Sequence, residues 1–291
     1  MMMTLKTDRL ESAGIAVIAG NGLLPEMLAG ELKRRGNDPF IVGLEAEAGG
    51  WIKGYRHCGA KTVEISAILK RLRQENIQQV VLAGGVKSRP DFRSVPLNWL
   101  TISSIPKIYA ALRKGDDGLL RFVMDLVARH GFSVIGAHEI MPDLLASHGT
   151  ATNRRPGAQD WADLSRAQIA ARELGRLDIG QAAVAVAGRV VAVEAAEGTE
   201  GLLRRVKELR QSGRISQRPS GVLVKAAKPG QDMRADLPSI GPQTIDQISD
   251  AGLSGIAVGA DSSLILDFEE TVRRANQKNV FVTGIDMKDG Q

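Results

Sequence analysis

The chain has 291 residues, 43% of them hydrophobic and only 4% aromatic, which is enough for two cores of ordinary domain size. Its 38 basic and 33 acidic side chains give a net charge of +5, which suits an anionic ligand or membrane surface but is too weak for a dedicated nucleic-acid-binding protein. Cys58 is the only cysteine, which excludes an intramolecular disulfide and a cysteine-based zinc site, so we expect a cytoplasmic location.

The first half of the chain alternates apolar runs with helical patterns. The stretch "GIAVIAGNGLLPEMLAGELKRRG", from Gly14, predicts a strand, a glycine turn and a helix. Further strands are predicted in "PFIVGL", "IQQVVLAGGVK" and "FSVIGAHEI", with helices at about residues 66–75 and 117–130. Strands that alternate with helices imply parallel pairing, so we predict an α/β domain over residues 1–147.

The second half follows a polar stretch without periodicity. Residues 148–161, "HGTATNRRPGAQDW", predict an interdomain linker, and residues 162–291 a second α/β domain. Within that domain we predict a helix at about residues 163–174, a β-hairpin that turns at Gly188-Arg189, and a helix that Thr199 caps. A strand, a helix and a final strand complete it.

Two predicted strands of the first domain end in glycine-rich turns, "GNGLLPEML" and "AGGVKSRP". Ligands of parallel sheets bind outside the carboxyl ends of the strands, and the first turn also opens a helix whose N-terminus attracts phosphate. A plain tight turn and a solvated lysine are the alternative. Pro25 stands where a dinucleotide fingerprint has its third glycine, which weakens an NAD-binding interpretation. The candidate substrate-binding residues are Gly20, Asn21, Gly22, Leu23, Gly84, Gly85 and Lys87.

Several acidic side chains outside these turns have simpler explanations. Asp116 or Asp117 in "GDDGLL" suits the N-cap of a helix. His138 and Glu139, which we place at the end of a strand, lack the further ligands of a metal site, so a structural hydrogen bond is expected. Glu194 ends an apolar alternation, and its burial would require a lysine, an arginine or a metal ion nearby.

The stretch "GVLVKAAKPGQDMRADLPSIGPQT", from Gly221 to Thr244, crowds charge behind a buried strand. On an extended chain the carboxylates of Asp232 and Asp236 would stand about 13 Å apart, too far to bind one metal ion. Because Pro229-Gly230 and Pro238 bracket them, we predict an irregular loop in which they converge. In such a loop the carboxylates and a phosphate could bind one hard metal ion. The positively charged side chains of Lys225, Lys228 and Arg234 would bind the remaining phosphate oxygens. A solvated loop without function is the alternative.

Six segments together resemble one family. They are "GNGLLP", "AGGVKSRP", "GDDGLLRFV", "GAHEIMPDLLA", "DIGQAAVAVAGRVVAVEAAEGTEGLLRR" and the charged stretch just quoted. The chain resembles the LpxI-type UDP-2,3-diacylglucosamine pyrophosphatases of Gram-negative lipid A biosynthesis. The resemblance implies a Rossmann-like N-terminal domain, a family-specific C-terminal α/β domain that is catalytic, and an essential aspartate at Asp232. Gly259 stands where the resemblance leads us to expect a glutamate, and Asp261 where we expect a glycine.

The function that the resemblance implies is Mg²⁺-dependent hydrolysis of UDP-2,3-diacylglucosamine to UMP and 2,3-diacylglucosamine 1-phosphate, with Mn²⁺ as a substitute metal. Metal ligands are then expected at Asp232, Asp236 and Glu194, catalytic charges at Asp232, Lys225, Lys228 and Arg234, and a further substrate contact at Gln231. We also expect a homodimer, no nucleic-acid partner, and peripheral contact with the cytoplasmic face of the inner membrane, because no window reaches the ~18 apolar residues of a membrane span. The alternatives are a nicotinamide-dependent oxidoreductase and a non-catalytic UDP-sugar-binding module.

Overall fold

The computed structural model describes residues 14–45, 47–61, 64–86, 115–235 and 237–287. These residues form two compact units. The first consists of the described residues of Met1–Pro142 together with the segment Asp232–Asp236, and the second of Asp143–Gln231 and Leu237–Gln291. The charged stretch is therefore divided between the two units.

The first unit is built on a five-stranded sheet whose strands are all parallel. The strands are β1 (Ile15–Ala19), β2 (Phe40–Leu44), β3 (Arg56–Ala60), β4 (Gln79–Ala83) and β5 (Ser133–Ile135). Their order, β3-β2-β1-β4-β5, is that of doubly wound α/β sheets. The central strands are almost entirely buried because their apolar runs are covered on both faces.

The described residues of this unit also form helices α1 (Leu24–Arg34), α2 (Ile65–Gln74), α3 (Gly115–Arg129) and α4 (Ala137–Ile140). Two sequence predictions need correction. The stretch "FSVIGAHEI" is a strand only as far as Ile135, and His138 and Glu139 lie in α4, whose N-cap N–H, that of Gly136, donates to Glu139 Oε1 at 3.0 Å. Strand β3 was not predicted, because its sequence "RHCGA" is mostly exposed and carries no apolar alternation.

The second unit contains a six-stranded mixed sheet in the order β6-β13-β11-β9-β7-β8. Its strands are β6 (Gly149–Thr150), β7 (Ala182–Val186), β8 (Arg189–Val193), β9 (Val222–Lys225), β11 (Gly255–Gly259) and β13 (Phe281–Ile285), while β10 (Ser239–Ile240) and β12 (Leu264–Ile265) pair separately. Its helices are α5 (Ala158–Arg176), α6 (Gly198–Gln211), α7 (Pro242–Asp250) and α8 (Phe268–Gln277). The α/β prediction is confirmed in both units.

The β7–β8 hairpin is confirmed, but its turn lies one residue earlier than predicted, at Ala187 and Gly188, where φ is 53° and 77°, and Arg189 is the first residue of β8. These positive φ angles are what a tight hairpin turn with the twist of the strands requires.

Part of the stretch predicted as a linker belongs to the second sheet. Strand β6 pairs antiparallel with β13, and the backbone N–H of Val282 donates to Thr152 Oγ1 at 3.0 Å. Helix α5 already begins at Ala158. A two-residue edge strand has too few residues for a readable alternation, so it could not be predicted. Within the described residues, no helix combines the length and hydropathy that crossing a bilayer requires.

Candidate functional site

Asp232 and Arg234 form a two-pronged ion pair in the turn after Gln231. Arg234 Nε lies 3.0 Å from Asp232 Oδ1 and Nη2 lies 2.6 Å from Oδ2, and the backbone N–H of Arg234 donates to Oδ1 at 2.9 Å. The hydrogen bonds from the Arg234 side chain, with the backbone hydrogen bond and the Coulomb attraction, lower the pKa of Asp232 to about 2. The aspartate is therefore ionised throughout the physiological pH range.

The residues around this pair belong to the first unit. Ala235 is 4% exposed and packs in the core cluster that includes Phe40 and Val80. The carbonyl oxygen of Met233 lies so close to Gly136 that a Cβ built there would be 3.2 Å from it. The segment 232–235 is thus anchored by small residues in the core of the first unit, although its sequence neighbours belong to the second.

Helices α3 and α4 contribute further charges around the same pair. Arg121, on α3, lowers the pKa of Asp232 by Coulomb attraction, a smaller effect than that of Arg234. The pKa of Arg234 is raised first by its hydrogen bond to Asp232 and then, through space, by Glu139 and Asp125. The two arginines therefore stabilise the ionised form of Asp232, while the carboxylates of Glu139 and Asp125 stabilise the charged form of Arg234.

The lysines of the charged stretch lie in the second unit. Lys225 ends strand β9, and its Nζ donates to the carbonyl oxygen of Ser239 at 3.0 Å. Lys228 Nζ forms an ion pair with Asp178. The side chain of Gln231 accepts a hydrogen bond from the backbone N–H of Lys228 at 2.9 Å, and the Gln231 N–H donates to the Lys228 carbonyl at 3.0 Å. The turn that carries Lys228 is thus closed from both sides.

Glu194 is buried, with 5% of its surface exposed. Its Oε2 accepts the backbone N–H of Gln181 at 2.9 Å, and its Oε1 accepts the hydroxyl of Thr199 at 2.6 Å. A backbone amide and a hydroxyl, rather than a lysine or an arginine, therefore compensate the burial of Glu194 in the described residues, and metal binding by Glu194 stays a prediction. Thr199 was predicted to cap α6, but Glu197 precedes that helix and the Thr199 hydroxyl is directed to Glu194.

The two glycine-rich turns of the first unit contact each other directly. Asn21 and Gly85 form an antiparallel bridge, with N–H to carbonyl distances of 2.8 and 3.0 Å. A Cβ on Gly20 would lie 2.4 Å from the Gly85 carbonyl, and one on Gly84 would lie 2.4 Å from that of Asn21. Close contact between the two backbones therefore explains Gly20 and Gly84 without a ligand.

The remaining predicted residues of these turns are more open. Gly22 has φ of +101° with no atom of the described residues within 4 Å of a Cβ position, and Leu23 is 40% exposed. Lys87 lies outside the described residues, as does Asp236 of the charged stretch; the side chains of Asp116 and Asp117 are likewise not described. Among the residues described, no three or more His, Cys, Asp or Glu side chains are grouped as metal ligands would be.

Asp178, the partner of Lys228, was missed in the sequence. It lies two residues beyond α5 with φ of 54°, a left-handed conformation that aspartate tolerates better than most residues. A carboxylate is unfavourable at the negative end of a helix, so an acid in "GRLDIG" was the available signal that a cation lies near it.

Comparison with known proteins agrees with the sequence motifs. Residues 14–144 match the model of the LpxI N-terminal domain, and residues 147–283 match that of the LpxI C-terminal domain. The chain belongs to the LpxI family. It is 40% identical over 276 residues to the UDP-2,3-diacylglucosamine pyrophosphatase LpxI of Caulobacter vibrioides, an alignment that covers 94% of this chain and 98% of that protein.

The departures from the expected LpxI pattern, at Gly259 and Asp261, have steric consequences. A Cβ on Gly259 would lie 2.4 Å from Ser262 Oγ, so a glutamate there would require the serine to move. Asp261 has φ of 55°, a conformation that the expected glycine adopts without strain. Its carboxylate lies 3.5 Å from His148 Nε2 at the surface.

Proposed function

We propose that this LpxI-family chain hydrolyses the pyrophosphate of UDP-2,3-diacylglucosamine to UMP and 2,3-diacylglucosamine 1-phosphate. The observation that carries the proposal is the similarity, at 40% identity over nearly the whole of both chains, to a protein named for that activity. The charged stretch supports it, because Asp232 is ionised and cationic side chains accompany it in the sequence.

The chemistry needs negative charge to be stabilised. Water attacks one phosphorus, and the bridging P–O bond breaks so that its oxygen leaves with the other phosphorus as one phosphate monoester. The water oxygen stays on the attacked phosphorus as the second monoester, and the protons of the water pass to solvent. Lys225, Lys228 and Arg234 supply cations for the phosphoryl oxygens, and Asp232 orients the water or a metal ion. Contacts for the remainder of the substrate are proposed at Gln231 and at the first-unit positions Gly20, Asn21, Gly22, Leu23, Gly84, Gly85 and Lys87.

Magnesium is part of this proposal, with manganese as its substitute. The donors of the described residues do not suit an all-protein cage, since no cluster of three ligand side chains occurs among them. They do suit the usual magnesium arrangement, in which one or two carboxylates, water and the substrate phosphates share the ion. Asp232, already ionised, is the proposed first ligand, with Asp236 and Glu194 as further ones. The ion would neutralise charge on the phosphates when bound.

Peripheral contact with the cytoplasmic face of the inner membrane and a homodimer complete the proposal. A net charge of +5 supports attraction to anionic lipid. Large apolar side chains on or beside α5, those of Trp161, Ile169 and Leu177, are about half exposed or more, which supports contact with a surface. Sedimentation with anionic vesicles and light scattering after size-exclusion chromatography test these two points separately.

The activity is tested by incubating the purified protein with UDP-2,3-diacylglucosamine and Mg²⁺ and measuring UMP. We expect UMP from the wild type, and a loss of turnover of at least ~100-fold in Asp232→Ala, the scale of one transition-state electrostatic group. Lys70→Ala, on an exposed helix face, is the control and should keep wild-type turnover. Binding of the substrate without UMP would favour a binding module, and reduction of a nicotinamide cofactor would favour an oxidoreductase.

A further inference from the structure

Asp178 is placed at the end of a helix by the helix itself. Its backbone N–H donates to the carbonyl of Gly175 at 3.2 Å, which closes the last turn of α5. The residue then adopts φ of 54°, and the chain turns towards strand β7. Side-chain exposure is 26% for Asp178 and 17% for Lys228, so the ion pair between them is largely shielded from water.

Among the described residues, Lys228 is the side chain that compensates the charge of this carboxylate. One oxygen, Oδ1, accepts from Lys228 Nζ. The other, Oδ2, is buried and has no hydrogen-bond partner within the part of the chain that the structure describes. A carboxylate at the negative end of a helix is unfavourable, and burial adds to the cost. Lys228 is therefore the group that makes an acid tolerable at this position.

The backbone of Lys228 is held against the same helix end. A Cβ on Gly175 would lie 3.1 Å from Pro229 Cδ and 3.3 Å from Lys228 Cα, so the absence of a side chain at Gly175 lets the two backbones approach. Gln231 Oε1 accepts the Lys228 N–H at 2.9 Å from the other side. The lysine is thus fixed at its backbone by Gly175 and Gln231 and at its ammonium by Asp178.

We propose that Asp178 is the positioning residue of Lys228 in pyrophosphate hydrolysis, an inference that rests on the function proposed above. A free lysine side chain populates many rotamers, and ordering it has an entropic cost. The ion pair with Asp178 orders the side chain before substrate binds, so the ammonium meets the developing phosphoryl charge without that cost. Asp178 itself acts only through the lysine.

A double-mutant cycle tests the proposal. Asp178→Asn keeps the shape of the side chain and removes its charge; we expect kcat to fall ~10-fold with KM changed less than ~2-fold, because an interaction that matters mainly in the transition state is weakened. In a Lys228→Ala background the same substitution should change kcat less than ~2-fold, because the group it positions is gone. Glu173→Gln, on the exposed face of the same helix, is the matched control and should leave kcat unchanged.

The chemical reactivity of Lys228 tests the same proposal in variants whose turnover is low for other reasons. Limited acetylation with acetic anhydride, read by peptide mass spectrometry, should modify Lys228 several-fold faster in Asp178→Asn than in the wild type, while Lys70 reacts equally in both. Equal modification of Lys228, wild-type kcat in Asp178→Asn, or the same fold-loss in both backgrounds would overturn the proposal and leave the proposed function standing. Failure of the wild type to form UMP would overturn the proposed function, and the acetylation result would then decide alone whether Asp178 holds the lysine.

Discussion

Arg234 holds both carboxylate oxygens of Asp232 from two residues away, with Nε 3.0 Å from Oδ1 and Nη2 2.6 Å from Oδ2. Because both residues lie in one turn, the guanidinium stays next to the carboxylate even if the turn moves. Phosphate oxygens bind guanidinium groups in the same two-pronged manner. In the proposed chemistry, substrate phosphate would therefore compete with Asp232 for Arg234.

The first prediction concerns stability in acid. The hydrogen bonds from Arg234 hold the folded-state pKa of Asp232 at about 2, below its ordinary value of 3.8. A depressed carboxyl pKa contributes stability that is complete above pH ~4 and is lost as pH falls towards 2. Asp232→Asn should lack this contribution, about 1–2 kcal/mol after screening of a partly exposed pair.

Urea unfolding of both proteins between pH 5 and pH 2.5 measures this difference. The wild type should lose more stability than Asp232→Asn over that interval, and all other titrating groups cancel in the comparison. Parallel stability curves for the two proteins would contradict the role assigned to Arg234.

The second prediction concerns metal removal. If Asp232 and the substrate phosphates share a hard cation, EDTA should abolish UMP formation, and excess Mg²⁺ or Mn²⁺ should restore it. The melting temperature should change little in EDTA without substrate, because no all-protein cage occurs among the described residues. Full activity in the chelator would rule out the metal part of the proposal.

The third prediction concerns the contact between the two glycine turns. Gly84→Ala combines a φ of +85° with a Cβ 2.4 Å from a backbone oxygen, so we expect a loss of about 2–5 kcal/mol of unfolding free energy. Gly85→Ala is the matched control, since the nearest atom to its Cβ would be 3.8 Å away. That variant should stay within ~0.5 kcal/mol of the wild type in the same denaturation experiment.

The fourth prediction concerns Arg210, which is 9% exposed. Its guanidinium donates to the carbonyl oxygens of four residues beyond α6, and burial lowers its pKa. These residues are Ala251, Ser216, Arg218 and Ser220. Arg210→Met leaves the acceptors of one buried and three partly buried hydrogen bonds without their donor and should cost at least ~3 kcal/mol. Arg204→Met, at an exposed position of the same helix, should cost less than ~0.5 kcal/mol by thermal or urea unfolding.

The elements predicted correctly from the sequence are those with long apolar runs. The strands at Ile15–Ala19 and Phe281–Ile285 are buried along their whole length or nearly so, and such runs are readable without any knowledge of the partner strand. Strand β6 and helix α7 were not predicted, for two different reasons. The first has two residues, and the second opens with Gly241-Pro242, which reads equally well as the end of a loop.

The sequence analysis singled out the charged residues of the candidate site, but it did not predict which of them form ion pairs. The charged stretch was recognised because its charges follow a buried run, a local signal. The partner of Lys228, however, lies 50 residues away in the chain, and nothing in a single sequence relates two positions at that distance. Convergence of Asp232 with Asp236 stays a prediction, since Asp236 lies outside the described residues.

The placement of Ala235 has a consequence for dividing the protein into fragments. A fragment cut at Pro142 would contain the five-stranded sheet but would lack Ala235, which is 4% exposed in its core cluster. The missing residues could be supplied only in trans, as a peptide that carries Asp232 and Arg234. Expression of the first unit by itself should therefore yield a less stable protein, whose melting temperature rises when such a peptide is added.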